Sequence, residues 1–371
     1  MRTEAVVEGL RVTACTFSTD GPEADGTVSW DSTTVVIVEA QSSGCVGTGW
    51  TFAPAAVENI VIGLLEPVVQ GRDALAPVAA HTAMRVASRN AGTAGLVGMA
   101  ISAVDIALWD LCARLHYVPV TRLLGGPLSE VEVYGSGGFT TYDQERLDEQ
   151  VSNWLGFGVR AVKIKIGESW GHRVGRDLDR VRQVRELVGG DVEVFTDANG
   201  GYDVGQARRV GSELDELGVT WFEEPVSSDD LDGLAVVRSA VRADVVAGEY
   251  ADGPSYVERM VRRSVDCLQI DVTRCGGYTG WLRCAAVAHA RGVEVSGHCA
   301  PYLTLPVAPA TPGLRHLEYF HDHVRIARTL FDGAPVPVAG RLAPRQLPGH
   351  GLTLRRSVVD EHRASRGGRT R

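Results

Sequence analysis

Ala161-Val162-Lys163-Ile164-Lys165-Ile166 is a short β-rich run, and it carries the only two lysines in the chain. All the other positive charges among the 37 basic residues are arginine. Arginine cannot lose its proton inside a protein, whereas a buried lysine can be tuned toward neutrality and act as a base. Two lysines held two apart against this background read as chemistry that arginine cannot do; the alternative is chance and local strand packing. Runs of the same kind recur along the chain, at Val131–Gly135, Val192–Thr196, Thr220–Glu224, Val245–Glu249, Cys267–Val272, Val293–Gly297 and His316–Phe320. Amphipathic helical patterns lie between them, at Gly175–Leu187, Gly205–Leu217, Leu231–Val241, Pro254–Arg262 and Tyr278–Arg291. Eight strands alternating with helices predict an α/β fold, a (β/α)8 barrel. The stretch 298–315 is proline-rich and weakly helical, so the last unit is expected to be irregular. Residues 1 to about 125 read differently, with a strand at Val35–Glu39 and helices over Pro54–Val69 and Met99–Arg114. In the last of these Ala100, Ala103, Val104, Ala107, Leu108 and Leu111 share one face.

Active sites of parallel barrels form at the C-terminal ends of the strands. Seven successive strands end in ionisable groups: Lys163 and Lys165, Asp197, Glu223, Glu249, Asp271, His298 and Glu318. The steps from Lys163 are 34, 26, 26, 22, 27 and 20 residues, each about one βα unit. Charges inside a strand core are costly unless paired or metal-bound, so the repeat reads as a site. Asp197, Glu223 and Glu249 offer three hard oxygen ligands on adjacent strands, which suits an octahedral Mg²⁺; a carboxylate cluster paired with arginines is the plainer reading. Lys165 and His298 fall on opposite sides of the barrel mouth and could remove or return a proton at either face of one carbon. Asp271 would orient His298 and raise its pKa. Glu318, as a neutral acid, could donate a hydrogen bond to a developing enolate, or else pair with an arginine.

These motifs resemble the enolase superfamily, and within it the mandelate racemase subgroup. Lys163-Ile164-Lys165, Asp197-Ala198-Asn199, Glu223-Glu224-Pro225, Gly248-Glu249, Asp271 with Gly276-Gly277, His298 and Glu318 carry the likeness, and Ala103–Leu111 resembles the end of the family's capping domain. The resemblance implies an N-terminal α+β capping domain (1–127), a modified TIM barrel of (β/α)7β form (128–325) and a C-terminal segment (326–371) that returns to the capping domain and ends in a frayed, solvated tail from about 360. It implies Mg²⁺-assisted removal of the proton α to a carboxylate through an enediolate, with Lys165 as base, Lys163 neutralising the substrate carboxylate, and Glu223 rather than Glu224 in the metal trio. Branches that use a catalytic lysine on strand six are disfavoured, because strand six offers Asp271 and Arg274 and the chain has no third lysine. The likeness is to mandelate racemase and to acid-sugar dehydratases, and it implies a homo-oligomer.

The expected reaction is dehydration of an aldonate or aldarate to a 2-keto-3-deoxy acid, with His298 as general acid for the β-hydroxyl. Racemisation, epimerisation or cycloisomerisation of a hydroxy acid or anhydro-sugar acid by the same two bases is the second reading, and a non-catalytic carboxylate-binding protein a remote third. Capping-domain loops carry specificity in this family, so Thr16–Trp30 is expected to reach over the site as a polar, acidic loop containing Thr19, Asp20, Glu23, Asp25 and Trp30. Asn199, Asp20, Trp30, Tyr134 and Tyr302, with Ser136, are the candidates for contacts to substrate hydroxyls. Cys299 either lines the pocket or packs inertly. His321 and His323 have the spacing of a metal pair on a strand, or mark a turn after strand eight.

Composition excludes other classes. A net charge of −9 leaves no general nucleic-acid face. The apolar stretch Val57–Val69 is interrupted by Glu58, Asn59 and Glu66, and no run reaches the length of a membrane span. The seven cysteines form no CxxC pair, so buried thiols of a reducing cytoplasm are expected. Gly135-Ser136-Gly137-Gly138 follows a strand but lacks the GxGxxG spacing of a nicotinamide site.

Overall fold

The computed structural model describes residues 5–364. Three antiparallel strands open the chain in the order β1 (Gly9–Ala24), β2 (Ser29–Ser42), β3 (Cys45–Phe52). The expected strand at Val35–Glu39 is the buried centre of β2. Thr16–Trp30, expected as a loop, is mostly hairpin. β1 and β2 stay paired to Ser18↔Ser32, shift register, and pair again at Glu23↔Trp30. Asp25 closes the turn by accepting from the backbone N–H groups of Thr27 (2.6 Å) and Val28 (2.7 Å). A helical stretch follows over 57–69, with a π-helical turn at Val61–Leu65 in its middle. Val57, Val61, Leu65 and Val69 are buried at every fourth position.

Helix Gly95–His116 packs on β2 and β3 through the apolar face read from the sequence. Two glycines of β3 permit that approach. A Cβ on Gly47 would lie 2.2 Å from the Leu111 nitrogen, and one on Gly49 2.3 Å from the Ala103 oxygen. Contrary to the expectation of no run of span length, this helix is long and apolar enough to cross a membrane, but most of it is buried inside the protein.

Eight parallel strands then close a barrel: β4 (Val131–Gly137), β5 (Ala161–Lys165), β6 (Glu193–Asp197), β7 (Val219–Glu223), β8 (Asp244–Ala247), β9 (Cys267–Ile270), β10 (Glu294–Gly297) and β11 (Leu314–Phe320). Closure is the pairing of β11 with β4, for example Glu318↔Tyr134. Helices Gln144–Gly156, Val174–Val188, Val204–Glu216, Leu231–Arg238, Pro254–Met260 and Gly277–Ala290 connect them. Three of these begin on aspartate caps, with Asp143, Asp203 and Asp230 accepting from the N–H of Arg146, Gln206 and Gly233. Between β10 and β11 only the short helix Pro301–Thr304 and a 3₁₀ turn at Ala308–Ala310 appear, so the barrel is (β/α)7β rather than eight full units.

After helix His321–Leu330 come β12 (Phe331–Asp332), β13 (Arg341–Leu342), which pairs with β4, and β14 (Thr353–Leu354), which pairs with β12. Helix Arg356–His362 returns to the N-terminal sheet. Arg356 forms a two-armed ion pair with Glu39, and His362 stacks on Phe17 at 4.3 Å. The chain expected to fray from about 360 is docked as far as Ala364, whose N–H donates to Ala14; the rest of the expected tail lies outside the described residues.

The barrel interior is layered. Tyr134, Phe195 and Trp221 pack together as an aromatic plug with His316. Two residues further along the same strands stand Ser136, Asp197, Glu223 and Glu318. A strand's period of two places both layers on the inner face.

Candidate active site

Lys163 is 1% exposed and lies at the centre of the charged layer. Its Nζ donates to both oxygens of Glu223 (2.8 and 2.7 Å) and is 2.8 Å from Glu318 Oε1. Burial works against this ammonium, but Glu223 and Glu318 outweigh it and hold its pKa well above the ordinary lysine range. Lys163 is thus a buried counter-ion rather than a group on the cleft wall, which differs from the expected contact with the substrate carboxylate.

Glu318 corrects a second expectation. It accepts from Ser136 Oγ (2.6 Å) and the Cys299 N–H (2.7 Å) as well as facing Lys163. Burial would raise its pKa; Lys163 overrides that and keeps it well below the usual carboxylate range. Its contacts here are all with donors, so it is placed as an acceptor.

Lys165, one pleat higher, hydrogen-bonds Asp197 Oδ2 and reaches the cleft. Burial would lower its pKa; Asp197 raises it, and the net shift is upward. Arg180 fixes this strand end from outside, donating to the carbonyls of Lys165 (2.6 Å), Gly138 (2.6 Å) and Phe139 (2.8 Å). His298 Nδ1 lies 2.8 Å from Asp271 Oδ2, and Thr273 donates to the other Asp271 oxygen at 2.7 Å. Burial acts to lower the imidazole pKa, and Cys299, Glu249 and the Asp271 hydrogen bond hold it well above the ordinary range. His298 Nε2 faces the cleft side, 3.2 Å from Glu249 Oε2 and 3.3 Å from Cys299 Sγ.

Asp197, Glu223 and Glu249 each bring one oxygen within 4.8 Å of the others. All three are buried. Trp221 Nε1 supports Glu223 from below at 2.8 Å, Arg274 supports Glu249 at 2.8 Å, and Asn199 N–H donates to Asp197 at 3.0 Å. Burial, then the charge of Asp197, pushes Glu223 up to about 8. Glu249 Oε2 faces His298 Nε2 at 3.2 Å and no other donor. A hard divalent cation fits this set, because three hard oxygen donors converge in a buried site and a cation neutralises them. Glu224 stands apart, bonded to Ser228 in a left-handed backbone turn (φ 38°).

Lys165, Asn199, Glu249, Arg274, His298 and Cys299 line one cleft of about 490 Å³, closed on the far side by Trp30, Thr33, Thr34, Phe52 and Pro54. Trp30 lines this cleft. Its Nε1 donates to the buried Glu23 (2.9 Å), and its ring stands edge-on to Phe139 at 5.4 Å. The structure does not bring Asp20, Tyr134 or Tyr302 to this cleft. Asp20 pairs with Arg146 (2.7 Å) and His321 (2.9 Å) beside another cavity. The Tyr134 hydroxyl accepts from Gln269 inside the plug, and Tyr302 meets Tyr319 at 3.2 Å. His321 and His323 start a helix and do not converge: His323 stacks on Phe52 at 3.3 Å.

Sequence reasoning left Arg274, Phe52 and Phe320 out of the site. Arg274 follows Asp271 by three residues, which was a usable signal. The two phenylalanines carried none, since an aromatic at a strand end is ordinarily core.

Residues 146–358 match the enolase C-terminal domain-like family, and residues 12–125 match the mandelate racemase/muconate lactonizing enzyme N-terminal domain. Arabinonate dehydratase of Saccharolobus solfataricus is 28% identical, covering 89% of this chain and 90% of its own. D-galactarolactone cycloisomerase of Agrobacterium fabrum is 32% identical over 75% of this chain and 74% of its own. The crystal structure of a mandelate racemase/muconate lactonizing enzyme-like protein from Rubrobacter xylanophilus superimposes with a TM-score of 0.93 at 44% identity, covering 97% of this chain and 100% of that one. A racemase from Streptomyces coelicolor with bound magnesium gives 0.91 at 28% identity over 97% and 100%.

Proposed function

Because this chain belongs to the mandelate racemase/muconate lactonizing enzyme family of the enolase superfamily, we propose that it is a Mg²⁺-dependent acid-sugar dehydratase, removing the proton α to a carboxylate and expelling a β-hydroxyl. Curated relatives are sugar-acid dehydratases and cycloisomerases, so the chemistry lies within that range. The observation that carries the reading is the pairing of Lys165 on one side of the cleft with an Asp271-backed His298 on the other, around three converging carboxylates.

Asp197, Glu223 and Glu249 would hold the metal. When bound, Mg²⁺ would supply positive charge for the doubly negative form of the substrate carboxylate, and an Asp197 engaged as its ligand would hold Lys165 less strongly as an ammonium. Lys165 then takes the α-proton, and its charge is returned to the pairing geometry already in place. His298, held protonated and oriented through Nδ1, delivers its Nε2 proton to the departing hydroxyl; water leaves and the enol relaxes to the 2-keto-3-deoxy acid. Glu318 and Lys163 act beneath the reacting atoms. They fix the Cys299 backbone and Glu223, so they are positioning residues. Cycloisomerisation uses the same two groups, with a ring oxygen formed or broken in place of the lost hydroxide.

Proton NMR in D₂O with Mg²⁺ and a panel of aldonates, aldarates and hydroxy acids tests this. The expected result is loss of the α-proton and a product deoxygenated at C3. His298→Asn should exchange the α-proton without eliminating, and Lys165→Ala should lose exchange. Full activity in Lys165→Ala would sink the mechanism, and inversion without elimination would move the assignment to a racemase.

A further inference from the structure

We propose that this cleft takes acids with one carboxylate and an uncharged far end, such as aldonates or ring-shaped hydroxy acids, and excludes aldarates. The inference rests on the reading above, in which the reacting carboxylate lies at Asp197, Glu223 and Glu249. A second carboxylate would then point to the wall built by Trp30, Thr33, Thr34 and Phe52. Between Arg11 and Arg72 the chain contains no lysine, arginine or histidine, so the whole strand pair that builds this wall lacks a cation. Asp25 and Asp322 line the same cleft, so the charge on that side is negative rather than positive.

Among the described residues lining the cleft, the cationic or imidazole groups are Lys165, Arg274, His298 and His323, and all come from the barrel. Arg274 is held at the metal end by Glu249 (2.8 Å) and Asp271 (3.4 Å). Lys165 is held by Asp197 and His298 by Asp271. His323 accepts from the Ala300 N–H through Nδ1 (3.2 Å), and its ring face is covered by Phe52; burial pushes its pKa down to about 4, so it is neutral. A far carboxylate would shed its hydration with no partner.

What the wall does offer is an immobilised indole and, beside it, the Thr33 hydroxyl. Trp30 is locked by Glu23 and Phe139, and Thr33 hydrogen-bonds Asp322. An aromatic face packs against the C–H face of a sugar or a ring, and hydroxyls meet hydroxyls.

Calorimetric titration of the Mg²⁺-loaded protein with matched pairs (gluconate against glucarate, galactonate against galactarate) and with mandelate reads the preference. We expect at least one monoacid to bind, and any diacid partner to bind at least tenfold more weakly. Thr33→Arg, which places a cation on the barrel-facing side of the wall beside Asp322, should narrow that ratio at least tenfold. A diacid that binds as tightly as its monoacid, or no monoacid binding at all, would overturn the inference. Recording α-proton exchange in D₂O on the same samples separates the two readings. Tight monoacid binding without exchange defeats the dehydratase reading and leaves the cleft's selectivity standing; exchange on diacids does the reverse.

Discussion

Replacing Lys163 by methionine should cost far more in stability than its distance from the solvent-facing cleft suggests. The substitution keeps the length of the side chain and removes the ammonium that lies within 2.8 Å of both Glu223 and Glu318. Removing one partner of a buried ion pair costs about 3–5 kcal/mol. At ~2.1 cal/mol/K of unfolding entropy per residue, the 371 residues give roughly 0.8 kcal/mol/K, so the thermal midpoint should fall by about 5 °C at pH 8. The sign with pH follows from both carboxyls. Glu318 is held below its ordinary pKa by Lys163, so in the parent it contributes stability above the usual glutamate range that fades as pH falls through the folded value. Glu223 is already raised to about 8, and without Lys163 it is raised further, which penalises the variant mainly at high pH. Without Lys163 the burial of Glu318 is less opposed and its pKa moves up, a cost that the variant meets as pH rises above the usual glutamate range and the parent does not, so the gap should narrow toward pH 5. Scanning calorimetry of both proteins at pH 5 and pH 8 without added Mg²⁺ checks this. A variant that melts with the parent at pH 8 yet has lost turnover would refute the buried counter-ion and return Lys163 to direct substrate contact.

Gly277→Ala should lower the unfolding free energy read from denaturant melts by about 2–4 kcal/mol, because the site has φ +71° and a Cβ would sit 2.5 Å from Asp105 Oδ2; an unchanged value would mean that helix Gly277–Ala290 is not tightly seated. Glu23, pushed up to about 8 by burial and by Asp322, is protonated in the fold, so it favours folding below its ordinary pKa and loses that contribution as pH rises from 4.5 through 8. Glu23→Gln should therefore gain on the parent between pH 5 and pH 9 in thermal melts, and parallel curves would count against a buried neutral acid. Mg²⁺ at a hundredfold excess over its dissociation constant should stabilise the protein by about 2.7 kcal/mol, an effect that Glu249→Gln should largely abolish; no shift in the parent would remove Asp197, Glu223 and Glu249 as a cation site. Trp30→Ala should raise KM for a productive acid about tenfold with little change in kcat, measured by the D₂O exchange rate; an unchanged KM would take the indole out of substrate binding.

The barrel was legible because charges at strand ends violate the ordinary rule for a core, and the violation repeats once per βα unit. Asp197, Glu223, Glu249, Asp271 and His298 could be placed from that repeat alone. Depth within the barrel was not legible. Lys163 and Lys165 share a strand face, and only the closed geometry shows that one lies beneath the carboxylates and the other beside the cleft. Tyr134 failed for the same reason, since it belongs to the plug one layer down. Asp20 failed because an acidic residue in a hairpin looks the same whether it meets substrate or, as here, Arg146 and His321. The hairpin itself was hidden by the register shift between Ser18 and Glu23, which breaks the alternation that would have marked it as strand. The acids from which a polar lid was expected are mostly spent on the turn, on Trp30 and on neighbouring cations, and the hairpin meets the cleft through Asp25, Trp30, Ser32 and Thr33.

Helix Gly95–His116 meets the loop after β9 at several points. Ser102 accepts from the Gly276 N–H (2.9 Å), Asp105 accepts from the Thr279 N–H (3.0 Å), Trp109 bonds Thr279 (2.9 Å), and Thr51 bonds the Thr273 carbonyl (3.0 Å). Thr273 in turn holds Asp271, the carboxylate that aims His298. The N-terminal domain is therefore a brace bolted to the general acid's own support rather than a cover free to swing. The hairpin turn is pinned as well, with the Trp170 N–H donating to the Gly26 carbonyl (2.9 Å) and the Thr140 hydroxyl to the Asp25 carbonyl (2.8 Å). A substitution that loosens the brace should therefore impair elimination without altering any residue that lines the cleft.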